Sequence, residues 1–365
     1  MKYSYLTQDP LAQASIELIL KWQDKSGAYV ASPTFSQYGY AWLRDGAFCA
    51  LAMHNSGHPE SASKFNSWVG STVLKYEDLF IQARLRLEDG RAVLPECAPP
   101  TRFHMDGSVE IDHHEVWPNY QLDGYGTWLS ILFQTEEEYS PSLITAVRVV
   151  ADFLALAWRN PSYDCWEEGG DKLHGSTLLA VAGGLKAAAE IIDNDLYEKE
   201  FRKILEVIER DFVVDGHFVK HADDLRVDAS LAWASLPHAV YDPLHPLVRG
   251  TLEVIKNDLR TPTGGVKRYI GDTYYGGGDW VLLEGLLAWN EAKIGNRDFW
   301  DKSRQWISSI ADSDFLLPEQ ILDHVQCPTM VLPWEKRWGS SAHPLLWSHA
   351  MYLLMLHEGA KQEWI

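Results

Sequence analysis

Cysteine is scarce in this chain: four among 365 residues, at Cys49, Cys97, Cys165 and Cys327, with no CxxC pair. Such wide spacing argues for buried, reduced thiols and against a disulfide framework or a zinc site. Positive charge is also short, with 32 Lys and Arg against 51 Asp and Glu, a formal net charge of −19. That field repels phosphate backbones and anionic lipid, so neither nucleic acid nor a membrane is expected as a partner. A neutral ligand would be indifferent to it. No apolar run reads as membrane-spanning. The opening MKYSYLTQDPLAQASIELIL lacks the charged start, apolar core and small-residue cleavage site of a signal peptide. With reduced thiols, this makes the cytoplasm the expected location. The GxSxG elbow, the HExxH helix and the GxGxxG and GKS phosphate loops are missing too. His113-His114-Glu115 is the one metal-like cluster. Neighbouring histidines do not point the same way on regular structure, so no metal is expected.

What is present is apolar and aromatic: 46% hydrophobic residues, with 16 tryptophans. Periodicity predicts helices near 9–24, 45–56, 59–84, 122–137, 141–159, 173–191, 195–212, 228–236, 243–259, 279–293, 296–310 and 343–360. The even-numbered ones, such as STLLAVAGGLKAAAEII and DWVLLEGLLAW, are apolar nearly all round. Most of the odd-numbered ones, such as YEKEFRKILEVIERDF, carry a charged stripe. A helix apolar on every side must be surrounded by protein, whereas a striped one can face water. Six of each in alternation predict an all-α fold, an inner ring of six helices inside an outer six. Strand alternation is confined to short pieces such as 213–220, so an α/β fold is a poor second. No linker, low-complexity tract or appended domain appears, and 1–365 reads as a single unit.

The polar and aromatic oddities gather in the loops before the inner helices. These are Tyr38 to Asp45, Trp117 to Asp123, Asp164 to Glu168, Arg268 to Trp280, and Pro318-Glu319-Gln320. Parallel inner helices would bring these loops to one end of the ring and build one pocket from five of them.

Two of the loops carry acid chemistry. In Tyr163-Asp164-Cys165-Trp166-Glu167-Glu168-Gly169-Gly170, two adjacent carboxylates follow a tryptophan on a glycine-rich turn. An apolar wall and a like charge both raise a carboxyl pKa, which suits Glu167 to donate a proton to a poor leaving group. Taken alone, the pair also reads as two solvated acids. Glu319, in LLPEQILDH, is a second carboxylate among apolar residues, or else a plain loop acid. Two carboxylates on opposite sides of a pocket are the minimum for cleaving a glycosidic bond. In Tyr38-Gly39-Tyr40-Ala41-Trp42-Leu43-Arg44-Asp45, Asp45 reads either as a helix N-cap ion-paired with Arg44 or as half of a hydroxyl-binding pair. Asp123 reads as an N-cap.

At these residues the sequence resembles glycoside hydrolase family 15, the glucoamylase, glucodextranase and isomaltose glucohydrolase group. Five motifs in order carry the resemblance: YGYAWLRDGAF, WPNYQLDG, DCWEE, RYIGDTYYGGGDW, and PEQ followed by SAHPLLWSHA. The resemblance implies an (α/α)6 barrel needing no cofactor, with Glu167 as general acid and Glu319 as general base, and inversion at the anomeric carbon. It further implies that Tyr38 helps place the water and that Arg44 and Asp45 hold hydroxyls of the terminal glucose. Trp42, Trp117 and Trp166 would shape the walls, Glu168 and Arg268 would lie near the next sugar, and Gln320 would join the binding site. The chain has room for neither the β-sandwich nor the starch-binding module of some members. The span HVQCPTMVLPWEKRWGS is its own and would rim the pocket. Both departures favour a small oligosaccharide over polymer. The expected activity is therefore exo-acting, inverting release of glucose from short α-glucosides, with an α-1,6 linkage ahead of α-1,4. A disaccharide phosphorylase or a non-catalytic sugar-binding protein on the same barrel are the rivals; oligomeric state is not legible.

Overall fold

The computed structural model describes residues 4–93, 97–109, 118–136 and 138–365. After a single turn, α1 (Ser4–Thr7), helices of two kinds alternate along the chain. The amphipathic kind comprises α2 (Pro10–Lys21), α4 (Pro59–Lys75) with its continuation α5 (Glu77–Glu88), α7 (Pro141–Ala157), α9 (Asp195–Asp211), α10 (Pro246–Val254) and α12 (Arg297–Ile310). Between them come α3 (Leu43–Asn55), α6 (Leu122–Thr135), α8 (Gly175–Ile192), a 3-10 segment Ala229–Ala234, α11 (Val281–Lys293) and α14 (Leu346–Lys361).

Burial separates the two kinds. In α9 the buried residues are Tyr197, Glu200, Phe201, Ile204 and Ile208, one stripe at helical spacing. In α11 every residue from Val281 to Ala292 is buried, and in α14 every residue from Leu346 to Leu356. The second kind packs in order, α3 on α6, α6 on α8, α8 on Ala229–Ala234, that segment on α11, and α11 on α14, and α14 returns to α3. The inner ring is thus closed, and each amphipathic helix lays its apolar stripe over one or two of its members. This is the (α/α)6 barrel expected, and the α/β alternative is excluded. By length and apolarity α8 would pass for a membrane span, a correction to the reading that no run does so; it is mostly buried within the inner ring.

The two rings start their helices differently. Four outer helices, α2, α7, α9 and α12, are capped by side chains: Asp9, Ser140, Asn194 and Asn296 each accept a first-turn backbone N–H. The five inner α-helices have no side-chain cap. Four of them hand their first N–H to the backbone of a neighbouring loop instead: Leu43 to Thr101, Gly175 to Lys220, Val281 to Glu319 and Leu346 to Ala31. Two-residue strands add to this stitching, β1 (Ala41–Trp42) with β2 (Arg102–Phe103), and β5 (Asp279–Trp280) with β6 (Gln320–Ile321), both antiparallel. A further hairpin, β3 (Val213–Val214) with β4 (His217–Phe218), accounts for the strand signal at 213–220. The loops at this end of the barrel therefore hold one another as well as the helix starts.

Several expected boundaries move. The helix expected over 59–84 breaks at Tyr76, whose φ/ψ of −111°/20° leaves the helical range. Its hydroxyl is drawn to the Val109 N–H at 3.1 Å. The eighth helix shrinks to the 3-10 segment Ala229–Ala234, at whose start the Asp228 carboxylate accepts the Ser230 N–H and Oγ–H. The ninth covers Pro246–Val254 and widens to a π turn over Ile255–Leu259. The last begins at Leu346, beyond Pro344, which cannot supply a helical N–H. A short helix not expected, α13 (Val331–Trp338), stands in the span before it.

Candidate active site

A cavity opens where the inner helices begin. Tyr38, Trp42, Arg44, Asp45, Trp166, Glu167, Arg268 and Glu319 all line it, joined by Tyr274, Trp280, Leu345 and Trp347. Residues expected to meet from four loops do meet there.

Glu167 stands on the tip of a tightly tied turn. The Asp164 carboxylate accepts the N–H groups of Trp166 and Glu168, both at 2.9 Å, and the Asp164 and Glu168 backbones bond each other. Inside that loop Glu167 takes a φ of +65°, which costs a non-glycine residue about 1–3 kcal/mol and persists only where the surroundings hold it. The turn aims its carboxylate at the start of the inner ring. Oε1 accepts from Trp42 Nε1 at 2.8 Å and from Gln121 Nε2 at 2.9 Å. Gln121 in turn accepts from Arg44 Nη1 at 3.1 Å.

Glu319 is 4% exposed and reaches the cavity from the loop before β6. Its Oε1 accepts from the Tyr38 hydroxyl at 3.0 Å and its Oε2 from Ser341 Oγ at 3.3 Å. Burial pushes its carboxyl up to about 7, against the pull of these hydrogen bonds and of Arg268. The Tyr38 and Tyr274 hydroxyls also bond one another, and the Tyr38 ring packs edge-on against Trp42 at 5.6 Å.

The charged pair at the floor is an ion network rather than a cap. Trp42 is the N-cap residue of α3, with Asp45 one turn in. Likewise Gln121, not Asp123, occupies the N-cap of α6. Arg44 joins Asp123 at 3.0 Å and Asp45 at 3.4 Å, all three largely buried. Burial pushes the Asp45 carboxyl up to about 6, opposed by Arg44. Arg44 Nε and Asp45 Oδ2 meet each other only at that 3.4 Å and make no hydrogen bond among the described residues. Polar capacity left over in a buried wall suits a polyhydroxylated guest.

On the opposite wall Arg268, 1% exposed, grips Asp272 and lies within 5.5 Å of the Trp166, Tyr274 and Trp280 ring centroids. Glu168 does not line the cavity itself but bonds Arg268, which does, at 3.0 Å, and the Tyr269 hydroxyl at 2.5 Å. Gln320 does not join the wall either. It follows Glu319 on extended backbone, so its side chain faces the other way and accepts the Gly278 N–H at 3.2 Å. Trp117 and His113-His114-Glu115 lie outside the described residues. Among the described residues no cluster of three His, Cys, Asp or Glu could hold a metal ion. The sequence alone does not mark Tyr274, Trp280, Leu345, Trp347, Gln121 and Ser341, since nothing local distinguishes a wall tryptophan from a core one.

Two carboxylates from separate loops, facing one aromatic-walled cavity on an (α/α)6 barrel, define a glycoside hydrolase. The match of a family model over residues 7–305 narrows the class. The chain belongs to glycosyl hydrolases family 15. It is 36% identical over 358 residues to an isomaltose glucohydrolase of Kribbella flavida, covering 95% of this chain and 92% of that one. A solved glycosidase matches with a TM-score of 0.90 at 36% identity, over 98% of this chain and 97% of its own. A glutamate-to-alanine variant of a glycosidase, solved in complex with glucose, matches with a TM-score of 0.90 at 35% identity, over 98% of this chain and 97% of its own. A bacterial glucoamylase complexed with acarbose shares the fold, with a TM-score of 0.74 at 19% identity, over 96% of this chain and 55% of that one.

Proposed function

We propose that this hydrolase removes one glucose at a time from the non-reducing end of short α-glucosides, with inversion, and that isomaltose-type α-1,6 linkages are its preferred substrates. The observation that carries the reading is the meeting of Glu167 and Glu319 in one cavity wall. In this reading Glu167 is the general acid. Oε1 already accepts from Trp42 and Gln121, so the transferable proton rides on Oε2 and passes to the glycosidic oxygen as the bond breaks. Glu319 is the general base, taking a proton from the water that attacks the opposite face of the sugar. Tyr38, hydrogen-bonded to Glu319, helps orient that water. Arg44 and Asp45 hold hydroxyls of the terminal glucose, Trp42 and Trp166 flank its ring, and Arg268 with Glu168 meets the next sugar. The α-1,6 preference is supported by likeness to a relative named isomaltose glucohydrolase, nearly full length at both ends of the comparison.

Glucose release from isomaltose, maltose, trehalose and dextran, with the anomer followed by polarimetry or NMR, tests the whole reading. Isomaltose should be cleaved fastest, with β-glucose appearing first. Release of α-glucose first would overturn inversion, and a faster rate on maltose would overturn the linkage assignment. Glu167→Gln and Glu319→Gln should each lose activity by about 10²–10⁴-fold. Near-normal turnover in either removes that residue from its role.

A further inference from the structure

Beneath the turn that carries Glu167 lies a buried cation that none of the steps above uses. Lys220, 6% exposed, follows β4 and sends its ammonium between two carboxylates, Asp164 Oδ2 at 3.0 Å and Asp228 Oδ2 at 2.6 Å. It also lies 4.1 Å from the centroid of the Tyr269 ring. Each of those three groups supports a different part of the turn. Asp164 holds the backbone through the Trp166 and Glu168 N–H groups. Asp228 accepts the Trp166 indole N–H at 3.0–3.1 Å. Tyr269 holds the Glu168 carboxylate through its hydroxyl. Between the indole and the carboxylate stands Glu167 in its left-handed conformation. Burying one ammonium beside two carboxylates is costly unless the geometry is fully satisfied, and surface loops are tied without such a device.

We propose that Lys220 is a positioning residue for proton donation: it clamps the three supports of the 164–168 turn and so fixes where Glu167 delivers its proton. The proposal rests on the reading of Glu167 as general acid. A misplacement on the order of 1 Å at a reacting group costs about 10²-fold, and Lys220 acts at that scale without touching substrate.

The test compares two substrates of different need. A disaccharide such as isomaltose has a poor leaving group and needs the proton; α-glucosyl fluoride expels fluoride with little protonation. Lys220→Met should lower kcat on isomaltose by about 10²-fold, leave its KM nearly unchanged, and retain most of the activity on the fluoride. Lys220→Arg, which keeps a cation between the carboxylates, should recover most of the loss. An equal fall on both substrates would mark Lys220 as merely structural, and a rise in KM alone would route its effect through Glu168; either overturns the proposal, as does unchanged kcat. Should Lys220→Met not fold, Asp228→Asn carries the same comparison, since it removes one of the two anchors while keeping its shape. Glu167→Gln is run in parallel. If it too loses both substrates equally, the assignment of Glu167 as the acid fails; if it is selective and Lys220→Met is not, only the positioning role fails.

Discussion

The Tyr38 hydroxyl donates to Glu319 Oε1 at 3.0 Å, joining the loop ahead of the second barrel helix to the loop ahead of the last across 281 positions. Two opposed effects meet in that bond. Enclosure in the cavity wall drives the Glu319 carboxyl toward its neutral form, while the hydroxyls of Tyr38 and Ser341 and the charge of Arg268 favour the carboxylate. Enclosure wins, and the group is left poised near neutrality.

The pH dependence follows. A general base works only when ionised, so kcat/KM should fall as pH drops through about 7, the value to which burial lifts Glu319. Tyr38→Phe deletes a hydrogen bond that favours the carboxylate, and should move this acid limb upward. Initial rates from pH 4 to 9 at low substrate check both. A limb near the ordinary glutamate value would show that burial does not lift the Glu319 carboxyl.

The same shift has a cost in stability. A carboxyl whose folded pKa lies above its ordinary value of 4.5 gives full stability below that value and loses it as pH rises through about 7. The penalty at pH 8 is on the order of 3 kcal/mol. Glu319→Gln removes it while keeping an acceptor for Tyr38 and Ser341. Urea melts should show the variant more stable than the parent at pH 8 and little different at pH 4.5. A pH-independent difference would reject this account.

How much of this was legible beforehand depends on how far each cause lies from its residue. All-round apolarity in α8, α11 and α14 is a property of each segment alone, so the ring within a ring could be read directly. The break at Tyr76, whose hydroxyl accepts from Val109 33 positions on, is announced by no local pattern. At the site, Glu167 and Glu319 stand out because carboxylates amid apolar residues are chemically odd. Their neighbours Glu168 and Gln320 are placed at the site by the family resemblance, yet neither lines the cavity, because consecutive side chains on a turn or an extended segment diverge. Nothing local marks Lys220 and Asp228, since only the fold brings them under Trp166.

The tightest inner contact offers a check on the barrel. Gly126 on α6 faces the backbone of α8: a Cβ there would collide with the Ala180 carbonyl, and one on Gly184 would come within 2.7 Å of Gly126 Cα. Backbone cannot yield as a flexible side chain does. Gly126→Ala should therefore destabilise by about 1–3 kcal/mol or more, well beyond any gain in helix propensity. Thermal melts that show an unchanged or raised midpoint would contradict this packing of α6 on α8.

The unexpected helix α13 should matter to catalysis and not to folding. It contributes no fully buried residue. Its contact with the site is Trp334, which meets the Tyr274 ring edge-on at 4.4 Å and the Tyr275 ring at 5.8 Å, while Glu335 accepts from the Tyr275 hydroxyl at 3.0 Å. Tyr274 is the cavity-wall residue bonded to Tyr38, and so it stands one contact from Glu319. Ring pairs of this kind contribute about 0.5–1.5 kcal/mol. If that contact keeps Tyr274 in place, Trp334→Ala should lower kcat/KM by roughly 2- to 12-fold, with the melting midpoint lowered by no more than a few degrees. Lost stability with full activity would make α13 a structural brace instead.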